Sequence, residues 1–329
     1  MTDDKTKWDA EQTRRQASFL QSLKWGEFQA AVGAEPHYLR GTGWSCLALL
    51  KKNRLGSYLF APYGPTLDDV KYLNTCLDEL GRLGQELKVD WLKLEPLGPS
   101  GQQSEIAGVL RRNSGHRAAH DAEPSLSRVL DIAPTPDELL AGISQSTRSL
   151  IRKNQRENTL VFKTSRTPSN MSAFSDMLDT VADRKGIGFF TKDYFIKQAE
   201  ILMPANMMFL EQAYAGKKLV GEAVMHDYGQ LGSYTYAASL PEARKLSVSA
   251  LLLWQAILNA KARGIKTLDL YGTAPDDAPP SHPWYGFSAY KKKFGGQIVQ
   301  TVGTWDIPIT KRYRLYRAAQ TAQKLIKRH

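Results

Sequence analysis

The chain is poor in cysteine, with only Cys46 and Cys76 among 329 residues. That excludes a disulfide framework, and their unrelated contexts exclude a CxxC metal site. No apolar run approaches the roughly 20 residues of a membrane span. The opening stretch MTDDKTKWDAEQTRRQ is polar and mixed in charge, which does not suit a secretory signal. These absences point to a cytoplasmic, reducing location. The histidines (His37, His116, His120, His226, His282, His329) are scattered, and no HxE, HExxH or GxSxG occurs. We therefore expect no metal, no bound cofactor and no protein nucleophile of the Ser-His-Asp kind. Chemistry on this chain would need an already activated substrate and electrostatic help.

Acids are missing where bases gather. The net charge is +11, with no Asp or Glu between Ala278 and Trp305. Lys311–His329 holds seven Lys or Arg and again no acid. Such a surplus attracts nucleic acid, nucleotide phosphates or an anionic membrane surface. A soluble basic protein without such a partner is the plainer alternative.

What is present is a repeat. The length suits two domains, since single cores rarely grow past roughly 250 residues. The first copy runs CLALLKK, a turn at Asn53–Gly56, SYLFAPYGP, a helix with Val70, Leu73, Leu77, Leu80 and Leu87 at helical spacing, then the strand VDWLKLEP. The second runs KLVGEAVMHDYG, a turn at Gly229–Gly232, SYTYAASL, the helix SVSALLLWQAILNAKARG with Gly264 past its end, then IKTLDLYG. In each, the strands before and after the helix should lie parallel through a right-handed crossover. We expect an α/β protein of two tandem acetyltransferase-like (GNAT-like) domains with mixed sheets flanked by helices. The border should fall near DIAPTPDELLAGISQS, giving 1–135 plus 310–329 as the first domain and 136–309 as the second. An acetyl-CoA fold carries R/Q-x-x-G-x-G/A at its helix start, but EARKLSVSA has no glycine there, which argues against an ordinary acetyltransferase.

Several constellations could carry chemistry. Arg148, Arg152 and Arg156, flanked by Lys153, are spaced by four and form one stripe on a helix, suited to a phosphate backbone. A solvated face paired with acids from elsewhere would look the same. Glu95 ends a strand whose partner copy ends in LYG, and the C-terminal ends of such strands commonly carry a site. A strand-end carboxylate taking backbone hydrogen bonds is the equal alternative. Tyr63 lies in a tight turn before Asp68 and Asp69, which the helix dipole explains. Tyr234 and Tyr236 alternate onto one strand face. The segment WYGFSAYKKKFGG, Trp284–Gly296, sets Lys291, Lys292 and Lys293 between aromatics. If it is strand-like, Lys291 and Lys293 share a face and Lys292 takes the other.

In order along the chain, FLQSLKWGEFQ, APYGPTLDD, WLKLEP, STRSLIRKNQREN, LVGEAVMHDYG, LYG and AYKKKFGG resemble the FemABX peptidyltransferases. The resemblance covers roughly Phe19 to Ile309. Its most specific parts are Q-S-x-x-W-G and the C-terminal aromatic-Lys-x-x-Phe-Gly. It implies twin acetyltransferase-like domains of the compact type, without a coiled-coil arm. It implies transfer of an amino acid from aminoacyl-tRNA, the co-substrate, to an amine of a peptidoglycan precursor stem peptide, either lipid II or UDP-MurNAc-pentapeptide. The amine would attack the ester directly, with Lys291 stabilising the oxyanion and Tyr290, usually Phe in the family, stacking on the terminal adenosine. Glu95 stands where the family has Asp, near the acceptor amine. Gln29 stands where some members place a phosphate-binding lysine, and Arg184 and Tyr194 are the nearest matches to the rest of the acceptor pocket, with Tyr63 and Tyr236. The tRNA would meet Arg148, Arg152, Lys153, Arg156, Lys292 and Lys293. The enzyme would work in the cytoplasm, with peripheral contact to the inner, anionic membrane face as a further expectation. The rivals are a related transferase acting on a protein N-terminus or an exopolysaccharide, and a non-catalytic basic tRNA-binding module.

Overall fold

A computed structural model describes the backbone of residues 2–185 and 190–326, and the side chains of 7–181, 190–243 and 245–320. The chain divides into two compact units, 1–125 with 300–329 and 126–299. In chain order the elements before the first crossing are α1 (Thr2–Arg14), α2 (Leu23–Ala31), β1 (Glu35–Gly41), β2 (Trp44–Asn53), β3 (Gly56–Ala61), β4 (Thr66–Leu67), α3 (Leu73–Glu86), β5 (Trp91–Leu94), α4 (Gln103–Arg112) and β6 (His116–Arg117). The second unit holds β7 (Leu126–Asp131), α5 (Pro136–Gly142), α6 (Gln145–Glu157), β8 (Val161–Ser165), α7 (Met171–Lys185), α8 (Lys192–Leu202), β9 (Met208–Ala215), β10 (Lys218–Tyr228), β11 (Leu231–Ser239), α9 (Val248–Ala262), β12 (Thr267–Gly272) and α10 (Tyr285–Lys292), and β13 (Gln297–Gln300) ends it. The chain then adds β14 (Trp305–Pro308) and α11 (Tyr313–Ile326) to the first unit.

The first sheet has the order β1-β2-β3-β5-β14-β6, with β4 also on β2. The β2–β3 hairpin turns where Asn53 Oδ1 accepts from the N–H groups of Leu55 and Gly56. β3 and β5 run parallel from Tyr58–Trp91 to Ala61–Leu94, and α3 makes the crossover. α3 buries Leu73, Cys76, Leu77 and Leu80 on one stripe, the face its leucine spacing predicts. Asp68 is not a dipole residue only: it accepts from Arg14 and Arg15, and these bonds hold its carboxyl down at about 2. Tyr313 and Tyr316 of α11 pack with Trp91 of β5.

The second sheet has the order β13-β7-β12-β11-β10-β9-β8. β11 and β12 are parallel, but they pair only from Leu231–Thr267 to Ser233–Asp269 and then part. α9 joins them and is buried around much of its girth, from Val248 through Leu252 and Trp254 to Ala260.

Two expectations differ from these strands. The prolines near residue 135 mark a helix start rather than a border: Thr135 caps α5 with Glu138 in a capping box and Pro136 follows in the first turn. The border falls ten residues earlier because β7 pairs with β12, and ten residues earlier at the far side because β14 pairs with β5. Tyr234 and Tyr236 do not share a face. Val224 faces Tyr236 and Met225 faces Tyr234, so β11 carries one extra residue, Thr235, at a bulge. Tyr234 joins the core under α9, whereas Tyr236 meets the Phe195 ring of α8 edge-on at 5.3 Å. Among the described residues no helix is long and apolar enough to cross a membrane. No group of three or more His, Cys, Asp or Glu among them could hold a metal ion.

Candidate active site

The lysine run lies on a helix, not a strand. Phe287, Tyr290 and Phe294 recur at helical spacing, lysines in the last turn suit the negative helix end, and Gly295 and Gly296 stop it with φ of 81° and 71°. α10 is fixed at four points. Ser288 Oγ accepts from Ala274 N–H at 2.8 Å. The Tyr290 hydroxyl donates to Ser249 O at 2.6 Å, at the start of α9. Phe294 is buried in the core. The Lys293 carbonyl accepts from Ser144 N–H at 2.8 Å, just before α6.

Gly296 has no room for a side chain. A Cβ there would come within 2.4 Å of Val129 O, and φ is already left-handed. Its carbonyl and that of Gly295 accept from Arg128 at 3.2 Å each, and Arg128 also pairs with Asp276 at 2.5 Å. Gly296→Ala should destabilise the protein by about 2–3 kcal/mol, the range for a strained backbone site with a clash. Urea unfolding measures this, and an unchanged midpoint would contradict it.

Lys291 is half-buried at the end of β12. Its Nζ donates to Gly272 O at 2.7 Å and Tyr271 O at 3.2 Å, and lies 4.9 Å from the Phe287 ring centroid. An ammonium has three N–H groups; two are used on carbonyls, and among the described residues no acceptor takes the third, which leaves it for a ligand oxygen. Burial lowers its pKa to about 8, with the Asp269 charge opposing the fall. Asp269 itself is raised to about 6 by burial, against the bonds from Tyr271 N–H and Ser127. It accepts from Tyr271 N–H at 2.7 Å. Tyr271 has φ of 62°, and this bond supports the conformation that leaves its carbonyl on Lys291. Sequence reasoning passed over Asp269, because an acid inside LDLYG reads only as a strand residue.

Tyr290 packs against the core cluster and meets Phe294 edge-on at 5.7 Å. Burial pushes its hydroxyl well above the usual tyrosine value. Lys292 pairs with Asp276 at 3.3 Å, and Lys293 is exposed. On α6, Arg152 and Arg156 are exposed, with no ion pair among the described residues. Arg148 is half-buried and donates to Ala141 O at 2.8 Å. Lys153 lies 3.9 Å from Glu157. Tyr194 stacks on the half-exposed Phe190 at 4.0 Å, and both border Phe195, so Tyr194 and Tyr236 share one aromatic cluster. The side chain of Arg184 lies outside the described residues.

In the first unit Glu95 is fully buried. Its carboxylate accepts from Tyr63 N–H at 3.1 Å, Glu123 N–H at 2.9 Å and Thr304 Oγ1 at 2.5 Å. Burial raises its pKa against these three donors. Glu95 thus holds the Tyr63 turn, and the Tyr63 hydroxyl donates to Pro124 O at 2.7 Å. Gln29 is buried and its Oε1 accepts from Lys51 Nζ at 2.9 Å. Lys51, which sequence reasoning missed, is half-buried, and burial lowers its pKa against the Glu123 charge.

Two hairpin–helix–strand units, with no glycine loop for a coenzyme, define a tandem acetyltransferase-like protein. Residues 210–323 match the sequence model of the FemAB family. The segment contains Asp269, Tyr290 and Lys291. The fold is similar to the crystal structure of FemX, at 17% identity and a TM-score of 0.82 over 96% of this chain and 98% of that one. It is also similar to L-PGS from Bacillus licheniformis (12%, 0.57, 93% and 92%). A tandem GNAT protein from the clavulanic acid biosynthesis pathway gives 13%, 0.52, 82% and 79%. No curated protein sequence matches the chain.

Proposed function

We propose that the protein moves an amino acid from aminoacyl-tRNA to the stem-peptide amine of a peptidoglycan precursor, lipid II or UDP-MurNAc-pentapeptide. The observation that carries this reading is Lys291: a lysine tied to two strand-end carbonyls, with one N–H to spare, inside the FemAB segment. The precursor amine attacks the ester carbonyl. The Lys291 ammonium neutralises the oxyanion as the tetrahedral intermediate forms. The intermediate collapses with loss of the tRNA 3′-terminal ribose hydroxyl, and the amine's proton leaves to solvent. The ester is already activated, so the protein supplies orientation and charge rather than a nucleophile. Arg152 and Arg156, with Lys292 and Lys293, face the tRNA phosphates. Tyr194, Tyr236 and Arg184 contact the acceptor. Glu95 acts through the Tyr63 turn rather than as a base.

Lys51 takes the place of the lysine that Gln29 replaces. Gln29 holds its ammonium, and half-burial leaves the head group available to an oxyanion. Lys51→Ala should raise KM for the UDP-linked precursor about tenfold or more, the worth of a charge-assisted hydrogen bond, with a smaller change in kcat. Steady-state kinetics with varied precursor measures this, and an unchanged KM removes Lys51 from the pocket.

The function is tested by incubating the protein with a mixed aminoacyl-tRNA pool and, separately, UDP-linked muropeptide, lipid II or a peptide, then reading products by mass. Addition of one residue to a muropeptide supports the reading. Modification of the peptide alone, or equal binding of charged and uncharged tRNA without transfer to any acceptor, overturns it. Binding to anionic vesicles tests the membrane contact, for which the exposed Lys311, Arg312, Arg314 and Leu315 of the C-terminal segment are the support.

A further inference from the structure

The aromatic that precedes Lys291 is packed against the core, yet other rings of the same segment are left in solvent. Trp284 and Tyr285 are each 40% exposed. Trp284, Phe287 and Lys291 stand at i, i+3 and i+7 and therefore share one face of α10. They form a continuous row. Lys291 Nζ lies 4.9 Å from the Phe287 centroid, Phe287 lies 5.7 Å from Trp284 at a tilt of 44°, and Trp284 is met edge-on by His282 at 6.5 Å. His282 Nδ1 also accepts from Trp284 N–H at 3.0 Å, which fixes the turn that presents the indole.

We propose that this face of α10 is a stacking platform for the unpaired 3′-terminal bases of the RNA donor, leading from Trp284 at the surface to Lys291 at the reacting ester. The proposal rests on the donor reading above and moves the stacking role from Tyr290 to Trp284 and Phe287. Three observations favour RNA as the occupant. From residue 284 to 291 the helix rises about 10 Å, close to the length of three stacked bases. No acid occurs between Ala278 and Trp305, while Lys292 and Lys293 follow the row. The end of α10 is tied to the start of α6 through Ser144 and Lys293, so the arginines of α6 extend the same basic segment. Bases stack on aromatic planes without sequence preference, and the nearby cations meet the backbone. An apolar protein partner would gain nothing from the lysines, and an anionic lipid would gain little from an ordered ring row.

The test uses the full chain with Trp284→Ala and Trp284→Phe, both at an exposed position. The probes are a short single-stranded RNA ending in CCA, an abasic oligomer of the same length and charge, and aminoacyl-tRNA. Trp284→Ala should weaken binding of the CCA-ended RNA about tenfold and raise KM for aminoacyl-tRNA about tenfold. Trp284→Phe should recover most of both, and KM for the acceptor should not move. The abasic oligomer should bind the wild type and Trp284→Ala alike. Equal binding of CCA-ended RNA by wild type and Trp284→Ala, or transfer with an unchanged donor KM, overturns the platform and leaves the proposed function standing. Trp284-dependent RNA binding without transfer to any acceptor supports the platform and overturns the proposed function. Failure of the wild type to bind either RNA overturns the platform.

Discussion

Lys291→Met should lower kcat for aminoacyl transfer by about 10²–10³-fold, the usual loss when one oxyanion donor is removed. Methionine keeps most of the aliphatic stem beside Phe287, so the unfolding midpoint should stay near that of the wild type; Lys291→Ala should show the same kinetic loss. The pH dependence identifies the cause. In the proposed reaction the acting form is the ammonium, whose pKa burial brings down to about 8. The charged fraction is therefore near full at pH 6–7, half at about pH 8, and falls about tenfold per pH unit above that. Wild-type kcat should show this alkaline limb, and the residual activity of Lys291→Met should lack it. Asp269 adds a second check, because its charge raises the lysine pKa. Other charged groups nearby, Arg128, Asp276 and Lys292, form their own ion pairs on β7, the loop after β12 and α10. Asp269→Asn should move the limb to lower pH while an amide oxygen still accepts from Tyr271 N–H. Wild-type turnover in Lys291→Met would remove the lysine from the mechanism.

The fold was legible wherever period and turn chemistry agreed. The leucines of α3, the apolar run of α9 and the turns at Asn53–Gly56 and Gly229–Gly232 each required one element, and together they required two similar sheets. The strand-end lysine site was harder to read. Three lysines between a tyrosine and a phenylalanine suit no simple alternation, and only the contacts of Ser288, Tyr290 and Phe294 show that the segment is a helix. The bulge at Thr235 leaves no mark in YTYAAS, yet it reverses the face of every residue after it. Lys51 was hidden for another reason. At the end of LLKK it reads as a solvated hairpin lysine, and its partner Gln29 lies 22 residues away in sequence. Glu95 could be seen as a strand-end acid, but its three donors come from separate loops that spacing cannot bring together.

The second large effect concerns stability and a carboxyl group the proposed reaction does not use. Glu222 on β10 is fully buried; Oε1 accepts from Gln212 Nε2 at 2.8 Å, and Oε2 has no hydrogen-bond partner among the described residues. Burial raises its pKa from 4.5 to about 7, with the Gln212 bond pulling the other way. The folded state therefore keeps a proton that the unfolded chain has already lost between about pH 4.5 and 7. Where the folded state binds more protons, stability falls as pH rises. At about 1.4 kcal/mol per pH unit, the wild type should lose about 3 kcal/mol across this window and then level off. Glu222→Gln keeps the shape and the neutral form, and an amide does not titrate. It should match the wild type near pH 4.5 and exceed it by about 3 kcal/mol at pH 8. That is a rise of several degrees in Tm for a unit of this size. Urea unfolding of both proteins at pH 5, 6, 7 and 8 gives the difference directly. A gap that opens with pH supports a protonated glutamic acid inside the sheet at neutral pH. A gap that is constant with pH, or a variant weaker at pH 8, means that Glu222 is charged in the folded state and that Oε2 has a partner.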